Sequence, residues 1–348
     1  MRRERLTDIL QKLPHARICV IGDLFLDKWV FIDPKLDEPS LETGLPAHQA
    51  VCTRTCPGAA GTVMKDLKAL GVGCVSAVSL IGDDGDGFDV LRGLQSRGVD
   101  TARVIQSPNV VTPTYLKPLF IGKDGATEGS RIDFKNLSVT PPELQDDLIT
   151  ALHEAAAQND ALLAVDQLTL ANTGVITDSV REALASAARG RPRLLVYADS
   201  RAFIGRFRDV TIKCNHIEAV RMTQGASFEE DGPLGWDRVF HALDSLSAQT
   251  GREPFVTCGA HGIAFRHGTK NTALPAARQD GPIDVCGAGD ACSAAIVSAL
   301  SVGADYREAA FLGMLASGVT VRKLGETGEA SPEEIMSLYD EQFAQEVT

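Results

Sequence analysis

The feature of this sequence that most constrains its fold is a repeated alternation between short apolar runs and longer amphipathic stretches. An apolar run of strand length, bounded by turn residues, is typical of a parallel strand that is buried on both faces. Runs of this kind occur at residues 17–23, 74–81, 161–165, 194–198 and 255–258.

Helical patterns fill the intervals between these runs. Residues 57–70 and 88–97 both have helical spacing, and residues 289–324 are rich in Ala, Leu and Val. Strands that alternate with helices favour a parallel sheet whose two faces are covered by helices. The predicted fold class is therefore α/β, a mostly parallel wound sheet with helices on both faces.

Two segments do not follow this alternation. Residues 28–56 and residues 112–135 are polar and rich in Pro and Thr, and they are longer than the βα loops of a wound sheet. We interpret them as strands of a small accessory sheet, or lid, that projects from the main body. The chain is accordingly predicted to be one domain over residues 1–348 with a lid.

Charge and hydrophobicity exclude several classes of partner. The 348 residues carry a formal net charge of −12, which argues against nucleic acid or an anionic membrane as the main partner. No stretch approaches the roughly 20 apolar residues that span a bilayer, and residues 1–13 are charged, unlike a secretory signal. We expect a cytoplasmic protein. A small anionic ligand is still compatible, because an acidic protein can contain a local basic pocket.

The cysteines give no sign of a metal site. Eight are present, and apart from Cys52 and Cys56 they are scattered singly, with no CxxC pair. Cys19, Cys74 and Cys258 lie in apolar runs and are predicted to be small core residues. This usage indicates a reducing compartment.

The strongest chemical motif is Asp284-Val-Cys-Gly-Ala-Gly-Asp290 at the start of a helical stretch. Small residues at Gly287, Ala288 and Gly289 let the backbone approach a ligand closely, and the helix directs its free N–H groups to the same place. Asp290, in the first turn, could then accept a proton from an attacking hydroxyl. The alternative is an ordinary glycine turn with Asp290 as a helix cap.

A second motif follows a strand-like run at residues 210–213. Asn215 and Glu218 lie three residues apart at the start of a helix, and both carry the oxygen ligands that Mg²⁺ requires. The alternative is an N-cap with an acidic first turn. His216 lies between them and is predicted to pack rather than react.

A third group follows the first strand, where ligands gather in open α/β sheets. Asp23 and Asp27 lie there and are placed to bind sugar hydroxyls, the alternative being a surface turn. Residues 83–87 are rich in Asp and Gly but lack the spacing of a calcium loop, so we interpret them as a turn.

Together these residues resemble the ribokinase-like (PfkB) carbohydrate kinases over residues 17–331. The most specific part is residues 284–290, which are similar to the family signature that ends in Gly-Ala-Gly-Asp. The other motifs, in the family's order, are Pro57-Gly-Ala-Ala with Leu70-Gly71, Asn215 with Glu218, and Thr257-Cys-Gly259 with Gly262.

The resemblance implies a catalytic centre at the last motif. Asp290 is implied to be the catalytic base, and the backbone N–H groups of Gly287, Ala288 and Gly289 are implied to form the anion hole. The reaction is implied to be in-line transfer of the γ-phosphoryl group of ATP to a sugar or sugar-phosphate hydroxyl.

The resemblance also implies the cofactors. Asn215 and Glu218 would organise Mg²⁺ and the ATP phosphates, with Glu218 reaching the metal through water. Thr257, Gly259 and Gly262 would lie beside the nucleotide. A monovalent-cation requirement is left open, and a homodimer that forms through the lid is implied.

The sugar site is implied to lie between the main sheet and the lid. The residues implied to bind the substrate are Asp23, Asp27, Gly58, Ala59, Thr62 and Arg131. If the substrate already carries a phosphate, its charge must be paired, and the lid cations that could do so are Arg54, Lys117, Arg131 and Lys135.

Within the family, residues 22–27, 112–114, 131–134 and 321–325 are similar to segments of the bacterial heptose 7-phosphate kinases, which are the nearest pattern. The sequence departs from it at several positions: Thr62 stands where the family usually has a substrate-binding Asn, Ala59 replaces a glycine, and Cys286 stands where Thr is usual. Gln167 also lies in an altered segment. These departures concern the identity of the sugar rather than phosphoryl transfer.

Two other functions remain open from the sequence. One is a non-catalytic sensor of a sugar or nucleotide that keeps the kinase fold, which the departures at Ala59, Thr62 and Gln167 favour. The other is a nucleoside kinase of the same fold. The intact Gly-Ala-Gly-Asp motif argues against the sensor, because a sensor has no need of Asp290.

Overall fold

The computed structural model describes residues 1–123, 125–225, 234–325 and 327–343. Within these ranges the chain forms sixteen strands, which in chain order are β1 (Arg17–Gly22), β2 (Leu24–Ile32), β3 (Glu38–Pro39), β4 (Pro46–Ala47), β5 (Ala50–Ala59), β6 (Cys74–Gly82), β7 (Asp100–Ser107), β8 (Thr114–Gly122), β9 (Gly125–Glu128), β10 (Ile132–Phe134), β11 (Ala161–Asp166), β12 (Leu195–Ser200), β13 (Thr211–Asn215), β14 (Phe255–Thr257), β15 (Ile263–His267) and β16 (Lys270–Leu274).

The same ranges contain ten α-helices. They are α1 (Arg3–Lys12), α2 (Ala60–Ala69), α3 (Gly85–Gln95), α4 (Pro142–Gln158), α5 (Asp178–Gly190), α6 (His216–Gln224), α7 (Trp236–Thr250), α8 (Ala288–Ser301), α9 (Tyr306–Thr320) and α10 (Pro332–Gln342). None of the helices in the described ranges is both long and apolar enough to cross a bilayer.

Nine strands form the main sheet, in the order β16-β15-β14-β13-β12-β11-β1-β6-β7. The seven strands from β14 to β7 are parallel, and β15 and β16 continue the sheet as antiparallel neighbours. The predicted fold class, a mostly parallel wound sheet, is confirmed.

Helices cover both faces of this sheet, because side chains that alternate along a strand enter two separate cores. In β1, Ile18 and Val20 pack into a core formed with α1, α2, α3, α8, α9 and α10. Cys19 and Ile21 point to the opposite face and pack with α4, α5, α6 and α7.

A second sheet, which we call the lid sheet, has the strand order β10-β8-β2-β5, and β9 pairs with β8. Most of it comes from the two segments that break the sequence alternation, so the small accessory sheet is confirmed as part of the fold. The sheet also includes Leu24 and Ala59, which lie outside those segments, because β2 pairs with β5 along its length.

Helix α2 is shorter than predicted for this reason. Residues 57–59 have a helical pattern in the sequence but form the end of β5, so α2 begins only at Ala60. Cys19 and Cys258 are buried as predicted, but the prediction for Cys74 is wrong. Cys74 is exposed because it is the first residue of β6, before that strand enters the core.

Candidate active site

We call the segment 284–289 the anion turn; its last two residues are the first two residues of α8. Gly287 has φ of 79°, in the left-handed region that favours glycine, and α8 begins at the next residue. The amide of Ala288, which the resemblance implies to be part of the anion hole, instead donates to the carbonyl of Val285 at 3.2 Å. Within the described residues, the amides of Gly287 and Gly289 donate to no backbone carbonyl, so they are free to bind an anion.

The Asp284 side chain determines the shape of this turn. One carboxylate oxygen accepts a hydrogen bond from the amide of Cys286 at 2.9 Å, and the other accepts one from the amide of Gly325 at 3.1 Å. The amide of Asp284 donates to the carbonyl of Val321 at 2.9 Å. The segment that follows α9 therefore lies against the anion turn and supports it from behind.

Asp290 lies in the first turn of α8, where the sequence predicts the base. Burial, followed by the neighbouring charge of Asp199, raises the pKa of Asp290 to about 6, while Lys213, Arg201 and Lys65 lower it. At neutral pH the group is therefore a carboxylate whose pKa is close to the working pH, which suits a general base.

Lys213 and Asp199 hold the start of α8, and the sequence reasoning missed both. The Lys213 ammonium is 2.6 Å from a carboxylate oxygen of Asp199 and donates to the carbonyl of Gly289 at 3.0 Å. Ser293, one turn into α8, donates to the same Asp199 oxygen at 2.8 Å. These contacts connect the ends of β12 and β13 to the anion turn.

A signal for this pair is present in the sequence. Lys213 ends the strand-like run at residues 210–213, and a lysine in a buried strand requires a charged partner; in the structure it is 5% exposed. Each of the two residues lies in the last three residues of its strand, at the edge of the sheet where ligands gather. The alternation of β13 places Lys213 on the same face as the helix-rich apolar C-terminal region, but pairing it with Asp199 required the strand order.

Asn215 and Glu218 form a reciprocal capping box at the start of α6. The Asn215 side chain accepts from the amide of Glu218 at 2.8 Å, and Glu218 accepts from the amide of Asn215 at 2.9 Å. The structural alternative, an N-cap with an acidic first turn, is therefore present. It leaves one Glu218 oxygen without a hydrogen bond from the described residues, and burial raises the pKa of this carboxyl group.

The residues predicted to lie beside the nucleotide form a tight turn after β14. Thr257 is opposite Asn215 in the sheet register, so the turn is next to the capping box. The amide of Cys258 donates to the carbonyl of Gly262 at 2.7 Å. Gly262 has φ of 105°, and a Cβ atom there would lie 1.9 Å from the carbonyl oxygen of Leu274, so only glycine fits. Gly259 also has a positive φ.

Asp23 is more enclosed than a substrate-binding carboxylate needs to be. It is 3% exposed, and it accepts hydrogen bonds from the amides of Val175, Gln167 and Leu168 at 2.8, 3.0 and 3.3 Å. These contacts hold the loop after β11 against the end of β1. Its predicted role in binding sugar hydroxyls stays a prediction, and the structure shows a structural role for the same group.

Asp27 is the more accessible of the two carboxylates and lies on the lid sheet. One of its oxygens is 2.8 Å from the Lys117 ammonium. A Cβ atom on Gly58 would lie 2.5 Å from the other oxygen, so glycine at that position leaves room for the carboxylate. Burial raises the pKa of the Cys286 thiol in the anion turn, and the lid-sheet residues Lys117 and Asp27 are among the charges that act on it.

Ala59 and Thr62 lie where the lid sheet continues into α2. Ala59 has φ of 53° and ψ of −115°, a conformation that only glycine adopts without strain. The departure from the family pattern at this position therefore has a conformational cost. Thr62 is buried in the first turns of the helix.

Arg131, the remaining predicted substrate ligand, is already paired. Its guanidinium group contacts both oxygens of Asp133 at 2.6 and 2.9 Å and lies 4.1 Å from the centre of the Tyr115 ring. Lys135 is also 2.9 Å from Asp133. Arg54, by contrast, lies 4.3 Å from the centre of the Trp29 ring and forms no ion pair with the described residues.

The prediction of a turn for the Asp-rich segment 83–87 is correct only for Asp83 and Asp84, because residues 85–87 already form the first turn of α3. Asp84 accepts from the amides of Gly87 and Thr112 at 2.7 and 2.9 Å and caps the helix. Asp86 accepts from Lys28 of the lid sheet at 2.7 Å. Both carboxylates are therefore used in protein contacts.

Comparison with known proteins identifies a family for almost the whole chain. A family profile described as "pfkB family carbohydrate kinase" matches residues 16–333. Curated relatives include the bifunctional protein HldE of Hyphomonas neptunium, 28% identical over 333 residues. Another is HldE of Trichlorobacter lovleyi, 26% identical over 339 residues.

These relatives are longer than this chain. The aligned regions cover 95% and 97% of this chain, but only 65% of each HldE sequence. The similarity therefore concerns about two thirds of each relative.

Solved structures show the same fold. A ribokinase from Arabidopsis thaliana, complexed with ribose and ATP, has a TM-score of 0.68 at 18% identity, covering 93% of this chain and 98% of that one. Phosphofructokinase-2 from Escherichia coli, in complex with potassium, has a TM-score of 0.68 at 16% identity, covering 94% and 99%.

Proposed function

Because this chain belongs to the pfkB family of carbohydrate kinases, we propose that it transfers the γ-phosphoryl group of ATP to a hydroxyl of a sugar or sugar phosphate. The single observation that supports this most is the anion turn with Asp290 beside it. The amides of Gly287 and Gly289 donate to no backbone carbonyl of the described residues, and Asp290, in the same turn of α8, has a pKa of about 6. Phosphoryl transfer to a hydroxyl needs hydrogen-bond donors that stabilise the negative charge of the transferring group and a proton acceptor for the hydroxyl.

Asp290 would act as the base. It would accept the proton of the attacking hydroxyl as the new O–P bond forms and the bond from the γ-phosphorus to the bridging oxygen of ADP breaks. The amides of Gly287 and Gly289 would stabilise the charge on the transferring group. Lys213 and Asp199 would keep the start of α8 in position without contacting the substrate.

The other predicted site residues, at the ends of β13 and β14, would bind ATP and Mg²⁺. Asn215 and Glu218 would organise Mg²⁺ and the ATP phosphates, with the free Glu218 oxygen available to a metal-bound water, and the turn with Thr257, Gly259 and Gly262 would adjoin the nucleotide. Mg²⁺ bound to the phosphates would neutralise part of their charge. This assignment agrees with the free amides of Gly287 and Gly289, which could bind the phosphates of the nucleotide.

The sugar would lie between the anion turn and the lid sheet, with Asp27 accepting its hydroxyls. We propose a substrate that already carries a phosphate, held mainly by Arg54 beside Trp29, with Lys117, which Asp27 pairs at 2.8 Å, as the neighbouring cation. Lys117 lies 4.7 Å from the centre of that ring, and Arg54 and Lys117 are the residues opposite Trp29 on the two strands that flank it. Arg54 is favoured over Arg131 because its charge is not already paired by a carboxylate of the described residues.

The test is ADP release, measured with Mg-ATP against a panel of sugars, sugar phosphates and nucleosides. A strong signal with one phosphorylated sugar supports the proposal. A strong signal with a nucleoside alone would favour a nucleoside kinase instead. Thermal stabilisation by a sugar or by ATP, with no ADP formed from any compound, would favour the non-catalytic sensor. We also propose that the protein forms a homodimer through the lid sheet.

A further inference from the structure

Lys65 is a buried cation that the proposed reaction does not use directly. It lies on α2 and is 6% exposed. Its ammonium group donates to the carbonyl oxygen of Thr327 at 2.6 Å and to the Thr327 hydroxyl at 3.0 Å, and lies 3.6 Å from Glu329. Burying an ammonium group is costly unless such partners are supplied. Its position therefore needs an explanation.

The partner of Lys65 lies against the back of the anion turn. A Cβ atom on Gly287 would be 3.3 Å from the Cβ atom of Thr327, so the two residues are in close contact. On the other side of Gly287, Asp284 bonds to the amide of Gly325 at 3.1 Å. The segment that follows α9 is therefore attached at Asp284 and again at Lys65, with Gly287 between the two attachments.

Helix α2 also adjoins the sugar-binding side. It begins directly after β5 of the lid sheet, and Gly58, near the end of β5, contacts Asp27. Lys65 is in the second turn of this helix. A single short helix therefore connects the lid sheet to the support of the anion turn.

Asp66, the residue next to Lys65, does not neutralise the positive charge of Lys65. Asp66 is 1% exposed, and neither of its carboxylate oxygens has a hydrogen-bond partner among the described residues. Burial, and then the charge of Asp290, raises the pKa of Asp66 well above its usual range. Asp66 is therefore held towards its neutral form, and it does not cancel the positive charge of Lys65.

We propose that Lys65 is a positioning residue, which holds Thr327 against Gly287 and so keeps the amides of the anion turn aimed at the transferring phosphoryl group. This role rests on the proposed kinase function. Lys65 contacts the support of the turn and not the substrate. Its effect should appear when the anion hole is filled and should be small for nucleotide binding alone.

The experiment compares Lys65→Met with Lys68→Met, a matched lysine one turn further along α2. Lys68 has only a long contact, 3.5 Å, to the carbonyl of Val72. Isothermal titration measures the affinity for MgADP alone and for MgADP with fluoroaluminate, a mimic of the transferring phosphoryl group. In the wild type we expect fluoroaluminate to tighten MgADP binding. Lys65→Met should reduce this gain by about tenfold or more, since small displacements of aligned groups have large effects.

A pH profile and a second variant distinguish a positioning role of Lys65 from a general loss of stability. Because Lys65 lowers the pKa of Asp290, its loss should move the acidic limb of the rate profile to higher pH, using the acceptor found in the ADP-release panel. If Lys65→Met does not fold, Thr327→Val removes one of the two acceptors and should reduce the fluoroaluminate gain in the same direction.

The outcomes distinguish this inference from the proposed function. A wild type that does not bind MgADP would overturn the kinase proposal itself. A wild type that shows the fluoroaluminate gain, with an equal gain in Lys65→Met and Thr327→Val, would overturn only the role of Lys65. Equal losses in Lys65→Met and Lys68→Met would also overturn it, because the effect would then not depend on Thr327.

Discussion

At the scale of single residues, the chemistry depends on the protonation of Asp290. The half-buried Asp290 carboxyl group, with the charge of Asp199 nearby, binds its proton more tightly than a free one, and Lys213, Arg201 and Lys65 only partly offset this. The raised pKa also means that the charged group opposes folding at neutral pH. An active site of this kind sacrifices some stability for a base whose pKa is close to the working pH.

The first prediction concerns the pH profile. A base must be deprotonated to accept a proton, so kcat/KM should be constant at neutral pH and should fall as the pH drops below about 6. Lys213→Met should shift this fall to higher pH, because Lys213 lowers the pKa of Asp290. A rate that remains constant well below pH 6 would contradict the role of Asp290.

The second prediction concerns Ala59, whose φ of 53° and ψ of −115° suit glycine. Strain of this kind costs on the order of 1–3 kcal/mol, which is partly offset by the higher unfolded-state entropy of glycine. Ala59→Gly should therefore raise the thermal midpoint by about 1–2 °C. The control is Ala60→Gly, in the first turn of α2, which should lower it. A lower midpoint in both variants would show that Ala59 is not strained.

At the scale of elements, the site lies where the ends of several strands meet the start of α8. The ends of β12, β13 and β14 bring Asp199, Asn215 and Thr257 to one edge of the sheet. Lys213 then joins this edge to α8 through the carbonyl of Gly289. Each element contributes a polar side chain at its end, while its interior is apolar and packs in the core.

The third prediction concerns the lid sheet. If Arg54 pairs with a substrate phosphate, Arg54→Met should raise KM for the phosphorylated sugar by about tenfold or more, because hydrogen bonds between charged groups are worth roughly 1.5–3 kcal/mol. The unphosphorylated sugar should be unaffected. Steady-state kinetics with both compounds measures the difference.

Two comparisons make this test specific. Arg92→Met is the matched control, because Arg92 also lies over an aromatic ring, that of Phe88, but on α3 outside the lid sheet. Arg131→Met should have a smaller effect than Arg54→Met, since Asp133 already pairs Arg131. An unchanged KM in Arg54→Met would show that the substrate phosphate does not bind at this part of the lid sheet.

At the scale of the whole molecule, the sequence predicted the architecture well because that architecture depends on local patterns. Apolar runs of four to eight residues give most of the parallel strands, and the Gly-Ala-Gly-Asp motif gives the start of α8. The two polar segments predicted an accessory sheet, and the membership in the pfkB family followed from the order of the motifs.

The contacts within the site could not be predicted in the same way. Lys213 and Asp199 are on different strands, and Lys65 and Thr327 are separated by 262 residues, so their pairing depends on strand order and helix packing. The three backbone amides that enclose Asp23 come from a loop that has no pattern of its own. Local patterns cannot specify contacts of this kind.

The measurement that tests the central claim most directly is the transfer of ³²P from [γ-³²P]ATP to the acceptor found in the ADP-release panel, in the wild type and in Asp290→Asn. The wild type should label the sugar. Asp290→Asn should label it at a rate lower by a factor on the order of 10²–10⁴, the usual contribution of a positioned base, with a thermal midpoint that is unchanged or higher. Labelling at the wild-type rate in a folded Asp290→Asn protein would contradict the account.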